Sequence, residues 1–142
     1  MKFLGEQMNE NLKGSALKGN EERLSLEDRL YDSILYQLEV KKVFLSPDLS
    51  LIRLSQIVGT NTTYLSNVVN RRFGMNFRML VNKYRIAHAT RLMHESEGKY
   101  ELGTVIRQSG FASRSVFYDA FLRIKGVSPN RYLEQENERW NK

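Results

Sequence analysis

The sequence predicts an all-α fold of about seven helices, arranged as two helix-turn-helix subdomains joined by a long linker helix. Three observations predict it. Apolar residues recur at three- and four-residue spacing through most of the chain, while strand-like alternation is weak. The two prolines, Pro47 and Pro129, interrupt none of the apolar-periodic segments. One pattern, a short helix followed by glycine and then a capped second helix, occurs twice.

Residues 1–24, with Gly5, Gly14 and Gly19 and little periodicity, read as a flexible linker or arm. Ser25 is the expected N-cap of a first helix from Leu26 to about Lys41, with Leu26, Leu30, Ile34, Leu35 and Leu38 as its apolar stripe. Pro47 and Asp48 mark a turn. A short helix after Ser50 carries Leu51, Leu54, Ile57 and Val58 and stops at Gly59. Asn61 caps the next helix, which carries Tyr64, Leu65, Val68, Val69 and Phe73 and ends at Gly74. The linker helix then runs from about Asn76 to Ser96. Phe77, Leu80, Val81 and Tyr84 form one stripe on it and Ile86, Ala89 and Met93 another, so it is expected to pack against two partners.

The pattern then repeats. Leu102, Val105 and Ile106 lie on a short helix stopped at Gly110. Ser113 caps a helix with Val116, Phe117, Ala120, Phe121 and Ile124, ending at Gly126. Ser128 caps a last helix with Pro129 at its first position, where the missing N–H costs nothing, and Tyr132 and Leu133 pack it down. The expected boundaries are 25–75 for the first subdomain, 76–96 for the linker helix and 97–133 for the second subdomain. An acidic tail, 134–142, is expected to fray.

The chain has 142 residues, no cysteine and a net charge of +6. A disulfide framework and a thiolate metal site are excluded. Met1–Asn20 holds no long apolar run and nothing approaches a membrane span, so a cytoplasmic location is expected. The charge is unevenly spread. Thr60–Arg131 holds 12 Lys and Arg against 4 Asp and Glu, and the rest holds 10 against 12. The basic stretch should seek a polyanion, unless it is merely a solvated surface.

That stretch contains the second helix of each helix pair, Leu51–Phe73 and Leu102–Ile124. A duplicated helix-turn-helix unit in a basic stretch points to double-stranded DNA. A linker of about 20 residues spans roughly 30 Å, near the roughly 34 Å turn of B-DNA, so two second helices could enter successive major grooves. Candidate base readers are Thr62, Thr63, Ser66, Asn67 and Asn70 on the first of these, and Arg114, Ser115, Tyr118 and Asp119 on the second. Asn pairs bidentately with adenine, Arg with guanine, and Thr methyls meet thymine methyls. Candidate phosphate ligands are Arg71, Arg72, Lys125 and Arg131, with Lys83 and Arg107.

An enzyme is not expected. His88 and His94, six apart, cannot form the i, i+4 pair of a helical zinc site, and no Gly-rich phosphate loop or GxSxG is present. Glu95, Glu97 and Glu101 read as solvated charges, and no cofactor or metal is expected. The alternative reading is a helical interaction module whose basic face binds an acidic protein. RNA is less favoured because exposed stacking aromatics are few.

Gly110-Phe111, Phe117, Phe121, Gly126-Val127-Ser128-Pro129 and Tyr132 resemble the C-terminal DNA-binding domain of the AraC/XylS family of transcription regulators. Leu54-Ser55, Gly59, Tyr64-Leu65-Ser66, Phe73-Gly74, Asn76-Phe77 and Tyr84-Arg85-Ile86 agree. The resemblance spans roughly Leu26–Leu133. It implies an asymmetric DNA site read by Thr63, Ser66 and Asn67, then Arg114, Ser115, Tyr118 and Asp119. The sequence departs from the family in three places: Ile106 stands where Ala is frequent, and basic residues frequent near Asn67 and Asp119 are missing.

Most members carry a sensory region for which this chain has no room, so the resemblance implies a piece of a larger regulator, with a small stand-alone regulator as the alternative. Ser15-Ala16-Leu17 resembles the stretch preceding the domain in regulators with membrane-bound sensor or histidine-kinase portions. Expected partners besides DNA are RNA polymerase and a sensory domain or dimer partner outside this chain. Membrane contact is expected only through a portion not contained here.

Overall fold

Among the described residues the apolar periodicity folds into seven helices and no strand. The computed structural model describes residues 18–141, with side chains from residue 25 onward. The helices are α1 (Lys18–Glu39), α2 (Leu51–Val58), α3 (Thr62–Phe73), α4 (Phe77–Glu95), α5 (Leu102–Gln108), α6 (Arg114–Lys125) and α7 (Pro129–Trp140), with a 3-10 turn at Val43–Leu45. They form two compact units. One holds the described residues up to 43 together with 49–77; the other holds 44–48 and those from 78 onward.

In the first unit α1, α2 and α3 pack on one another. Leu30, Ile34 and Leu38 of α1, Leu54 of α2, and Leu65, Val68 and Val69 of α3 are buried. The first helix begins earlier than the sequence suggested. It starts at Lys18, so Ser25 lies inside it and caps nothing, and 18–24 are helical rather than an arm. Asn20-Glu21-Glu22-Arg23-Leu24 contains no helix breaker, and one glycine, Gly19, costs only about 1 kcal/mol. Residues 1–17, including Ser15-Ala16-Leu17, lie outside the described residues. Leu26 is exposed: at about 100° per residue it falls off the edge of the arc through Leu30, Ile34 and Leu38. Ile57 is exposed as well.

The second unit is built on one core of Ile86, Ala89 and Met93 from α4, Val105 and Ile106 from α5, and Phe111, Phe117, Ala120 and Phe121. Ile106, the departure from the family pattern, is buried within it. Phe117 stands between Phe111 and Phe121, with ring centroids 5.2 and 5.5 Å away. Tyr132 of α7 meets Phe121 edge-on at 5.2 Å. On α4 both expected stripes carry buried residues: Leu80 and Val81, then Ile86, Ala89 and Met93.

Residues 44–48 are stitched into this unit by Arg85. Its Nε donates to the Phe44 carbonyl at 2.7 Å and its Nη2 to that of Ser46 at 2.8 Å. Burial pulls the Arg85 pKa down. Phe44 also packs on Tyr84. The strand of chain at Phe44 runs so close that a Cβ on Gly110 would stand 2.2 Å from the Phe44 carbonyl oxygen. Gly110 also has φ +92°, a conformation that side chains disfavour.

The acidic tail does not fray in the structure. Helix α7 continues to Trp140, and Glu136 within it is 1% exposed. The Glu136 carboxylate accepts from Trp140 Nε1 at 3.3 Å and lies 3.1 Å from Arg139 Nη1 and 3.6 Å from His94 Nδ1. Burial, with the Glu136 charge added, pushes the nearby Tyr100 phenol up to about 12.

Candidate nucleic-acid interface

Each unit presents a second helix set by the same local chemistry. Asn61 is extended and its Oδ1 accepts from Tyr64 N at 2.8 Å, starting α3. Ser113 is likewise extended and its Oγ accepts from Val116 N at 3.2 Å, starting α6. These caps satisfy one of the free N–H groups of each first turn. Both helices have 12 residues and stop at a left-handed glycine, Gly74 and Gly126.

On α3 the buried residues Leu65, Val68 and Val69 share one side, which turns Thr63, Asn67 and Asn70 to solvent. Thr62 and Ser66 flank this face, half-buried. The face is neutral and rich in donors and acceptors. The two cations of α3 are not free. Arg71 Nη2 donates to Glu27 Oε1 of α1 at 2.6 Å. Arg72 Nη1 donates to Asp28 Oδ1 at 3.0 Å and approaches Glu27 Oε2 at 3.5 Å. The Arg72 guanidinium also lies 4.2 Å over the Tyr31 ring. The Arg71 hydrogen bond holds the Glu27 pKa below its usual value against the opposing effect of burial, and raises that of Arg71.

On α6 the exposed face carries Ser115 and Asp119, with Arg114 also exposed and Tyr118 half-buried. Arg114 Nη1 donates to the Tyr118 hydroxyl at 3.3 Å, and its guanidinium lies 5.8 Å from the Tyr118 ring centroid. Tyr118 thus steers Arg114 along the helix. Two further residues stand out here that sequence reasoning missed. Val116, expected in the core, is 47% exposed, and Leu122 is 53% exposed. For Leu122 the signal was available in spacing, since it falls about 100° beyond the edge of the Phe117, Ala120, Phe121, Ile124 stripe; Val116, at i, i+4 to Ala120, gave no such warning.

In the second unit, Lys83, Arg107, Lys125 and Arg131 are exposed. Arg131 lies 3.8 Å from Glu134 at the surface, and Arg107 donates to Thr104 Oγ1 at 3.1 Å. Lys83, Arg107 and Lys125 form no ion pair among the described residues. Glu101 is exposed, as expected for a solvated charge, but it also has a structural role. It caps α5, its carboxylate accepting from Gly103 N, Thr104 N and Thr104 Oγ1 at 3.1, 2.7 and 2.7 Å, which lowers its pKa.

His88 and His94 lie apart: His88 packs edge-on to Phe44 and His94 faces Glu136. No group of three or more His, Cys, Asp or Glu able to hold a metal occurs among the described residues, and no described helix is long and apolar enough to cross a membrane.

A family model described as a helix-turn-helix domain matches residues 54–135. The TCP pilus virulence regulatory protein of Vibrio cholerae serotype O1 is 36% identical over 74 residues, which are 52% of this chain and 26% of that protein. Regulatory protein PocR of Salmonella typhimurium is 30% identical over 94 residues, 66% of this chain and 30% of that protein. The chain therefore spans less than a third of these relatives' lengths.

Among solved structures, a protein of unknown function from Listeria innocua superposes with a TM-score of 0.65 at 25% identity, covering 73% of this chain and 94% of that one. The C-terminal domain of AraT, a response regulator from Geobacillus stearothermophilus, shares the fold with a TM-score of 0.64 at 24% identity, covering 78% and 84%.

Proposed function

The chain belongs to the AraC/XylS family of DNA-binding transcription regulators, and on that premise we propose that it reads a specific duplex sequence with α3 and α6, each in a major groove. The observation that carries this reading is the duplicated device: an extended Asn or Ser cap, 12 helical residues with a solvent-facing face, and a left-handed glycine.

The two faces suit different bases. Thr63, Ser66, Asn67 and Asn70, with Thr62 beside them, favour adenine and thymine. Arg114, oriented by Tyr118, suits guanine; Ser115 adds a hydrogen bond and Asp119 accepts from a cytosine amino group. Val116, in the first turn of α6, suits a thymine methyl. Lys83, Arg107, Lys125 and Arg131 supply phosphate contacts, which fix affinity and register rather than sequence. RNA polymerase and a sensory portion or dimer partner outside this chain complete the proposed setting.

Selection from a random duplex library at moderate salt tests the reading. The expected result is an asymmetric motif with two half-sites centred about 10 base pairs apart, as helices in successive major grooves require. Arg114→Ala should cost about 1–3 kcal/mol on that motif and relax preference at one base pair. Salt-dependent binding without any enriched motif would sink it and favour a basic face made for an acidic protein.

A further inference from the structure

The cations of the two second helices differ in availability. Arg71 and Arg72 are the only cations on α3, and both are engaged by carboxylates of α1. On α6, Arg114, Arg123 and Lys125 are all exposed, and none is in an ion pair among the described residues. The carboxylates that engage Arg71 and Arg72 come from outside the basic stretch, 44 or 45 residues earlier in the sequence.

Position decides what each arginine can do. Arg71 lies one turn beyond Asn67, beside the solvent-facing side of α3, with its side chain 55% exposed. A phosphate at that face is within its reach. Arg72 lies on the opposite flank, stacked on Tyr31 and turned to α1. Carboxylate and phosphate use the same planar fork of a guanidinium. Glu27, mostly shielded from solvent, already occupies that fork at 2.6 Å.

We infer that Glu27 is an affinity-determining residue for DNA: it competes with a backbone phosphate for Arg71, while the Asp28–Arg72–Tyr31 cluster keeps α1 in place for that competition. The inference rests on the DNA reading above. It makes the docking of α1 and the phosphate contact of Arg71 mutually opposed, since what favours one must weaken the other by the same factor. Helix α3 then reads bases with a neutral face while its own two arginines are held back, whereas α6 carries cations that are exposed.

A double-mutant cycle on the full chain tests it, using the duplex selected above and a scrambled duplex of equal length, across a salt series. Glu27→Gln should raise affinity for both duplexes about three- to tenfold at low salt and steepen the slope of log affinity against log salt by about one. Arg71→Gln alone should change affinity less than about twofold. In the Glu27→Gln background, Arg71→Gln should abolish the gain.

Hydrogen exchange of the α1 amides separates competition from simple unfolding, because Glu27→Gln should leave α1 protected through Asp28 and Arg72. If Arg71→Gln alone weakens binding about tenfold and lowers the slope by one, Arg71 already serves phosphate and the inference fails. It also fails if Glu27→Gln lowers affinity, whether or not α1 loses protection. Wild-type binding to neither duplex overturns the DNA reading and this inference together.

Discussion

Gly59 and Gly110 occupy the same place in the two helix pairs, and they are not equivalent. Each follows a short apolar helix and each is left-handed, with φ of +76° and +92°. Around Gly59 a Cβ would meet nothing within 4 Å, whereas at Gly110 it would collide with the Phe44 backbone. The shared requirement is local and belongs to the turn. The added requirement at Gly110 is tertiary and belongs to a segment arriving from far away in the sequence. Duplicated patterns therefore share their backbone rules while differing in how much each residue supports.

The largest expected effect breaks this comparison open. Gly110→Ala should destabilise the second unit by more than about 3 kcal/mol, because backbone must move. Gly59→Ala should cost only about 1–2 kcal/mol, the strain of a left-handed alanine. Urea unfolding followed by tryptophan and circular dichroism signals separates them, and equal losses would show that the approach of Phe44 is easily relieved.

Next, Arg85→Met should cost about 2–3 kcal/mol, since it keeps the aliphatic stem but leaves the Phe44 and Ser46 carbonyls without their donor. The same denaturation experiment reads it. A smaller effect concerns bases. If Val116 meets a thymine methyl, replacing one thymine by uracil in the half-site read by α6 should weaken binding by about 0.8 kcal/mol, the worth of one buried methyl. A uracil scan in which no position responds would remove Val116 from the interface.

The smallest effect concerns acid, and each unit carries one carboxylate that feels it. Glu27 has its pKa lowered first by the Arg71 hydrogen bond, and Glu101 first by that of Thr104. A lowered folded-state pKa means the stabilisation is fully present above the unfolded-state value near 4.5 and disappears as pH falls through the folded-state value. Glu27→Gln and Glu101→Gln should each differ from wild type at pH 7 and converge on it as the pH falls toward 3. A gap that persists in acid would mean that packing, not charge, carries the difference.

The caps and stops were legible in the sequence because their physics is local. Asn61, Ser113 and Ser128 act on N–H groups three residues away, and Gly59, Gly74 and Gly126 act on their own φ. The linker helix was legible because two apolar stripes shared one continuous helical period.

What was not legible depends on partners distant in sequence. Arg71 and Arg72 look like free cations until α1 lies beside them. Glu136 looks like part of a solvated tail until Arg139, Trp140 and His94 gather round its carboxylate. Gly110 looks like a stop signal until Phe44 is seen beside it. Val116 was misplaced for a different reason: its i, i+4 spacing to Ala120 puts it at the edge of the apolar stripe, and that edge lies open to solvent.

Residues 44–48 tie the second unit to a stretch of chain that lies before α2. The second unit is not one continuous piece of polypeptide, since it borrows five residues from a point between α1 and α2. Cutting the chain at residue 78 would strand Arg85 beside missing carbonyls and leave Gly110 facing a trough where Phe44 had been. The two units are thus poor cassettes for recombination. A swap of the second unit between relatives should succeed only when its borrowed segment travels with it, so the specificity proposed for α6 should drift by substitution far more readily than by exchange of the whole unit.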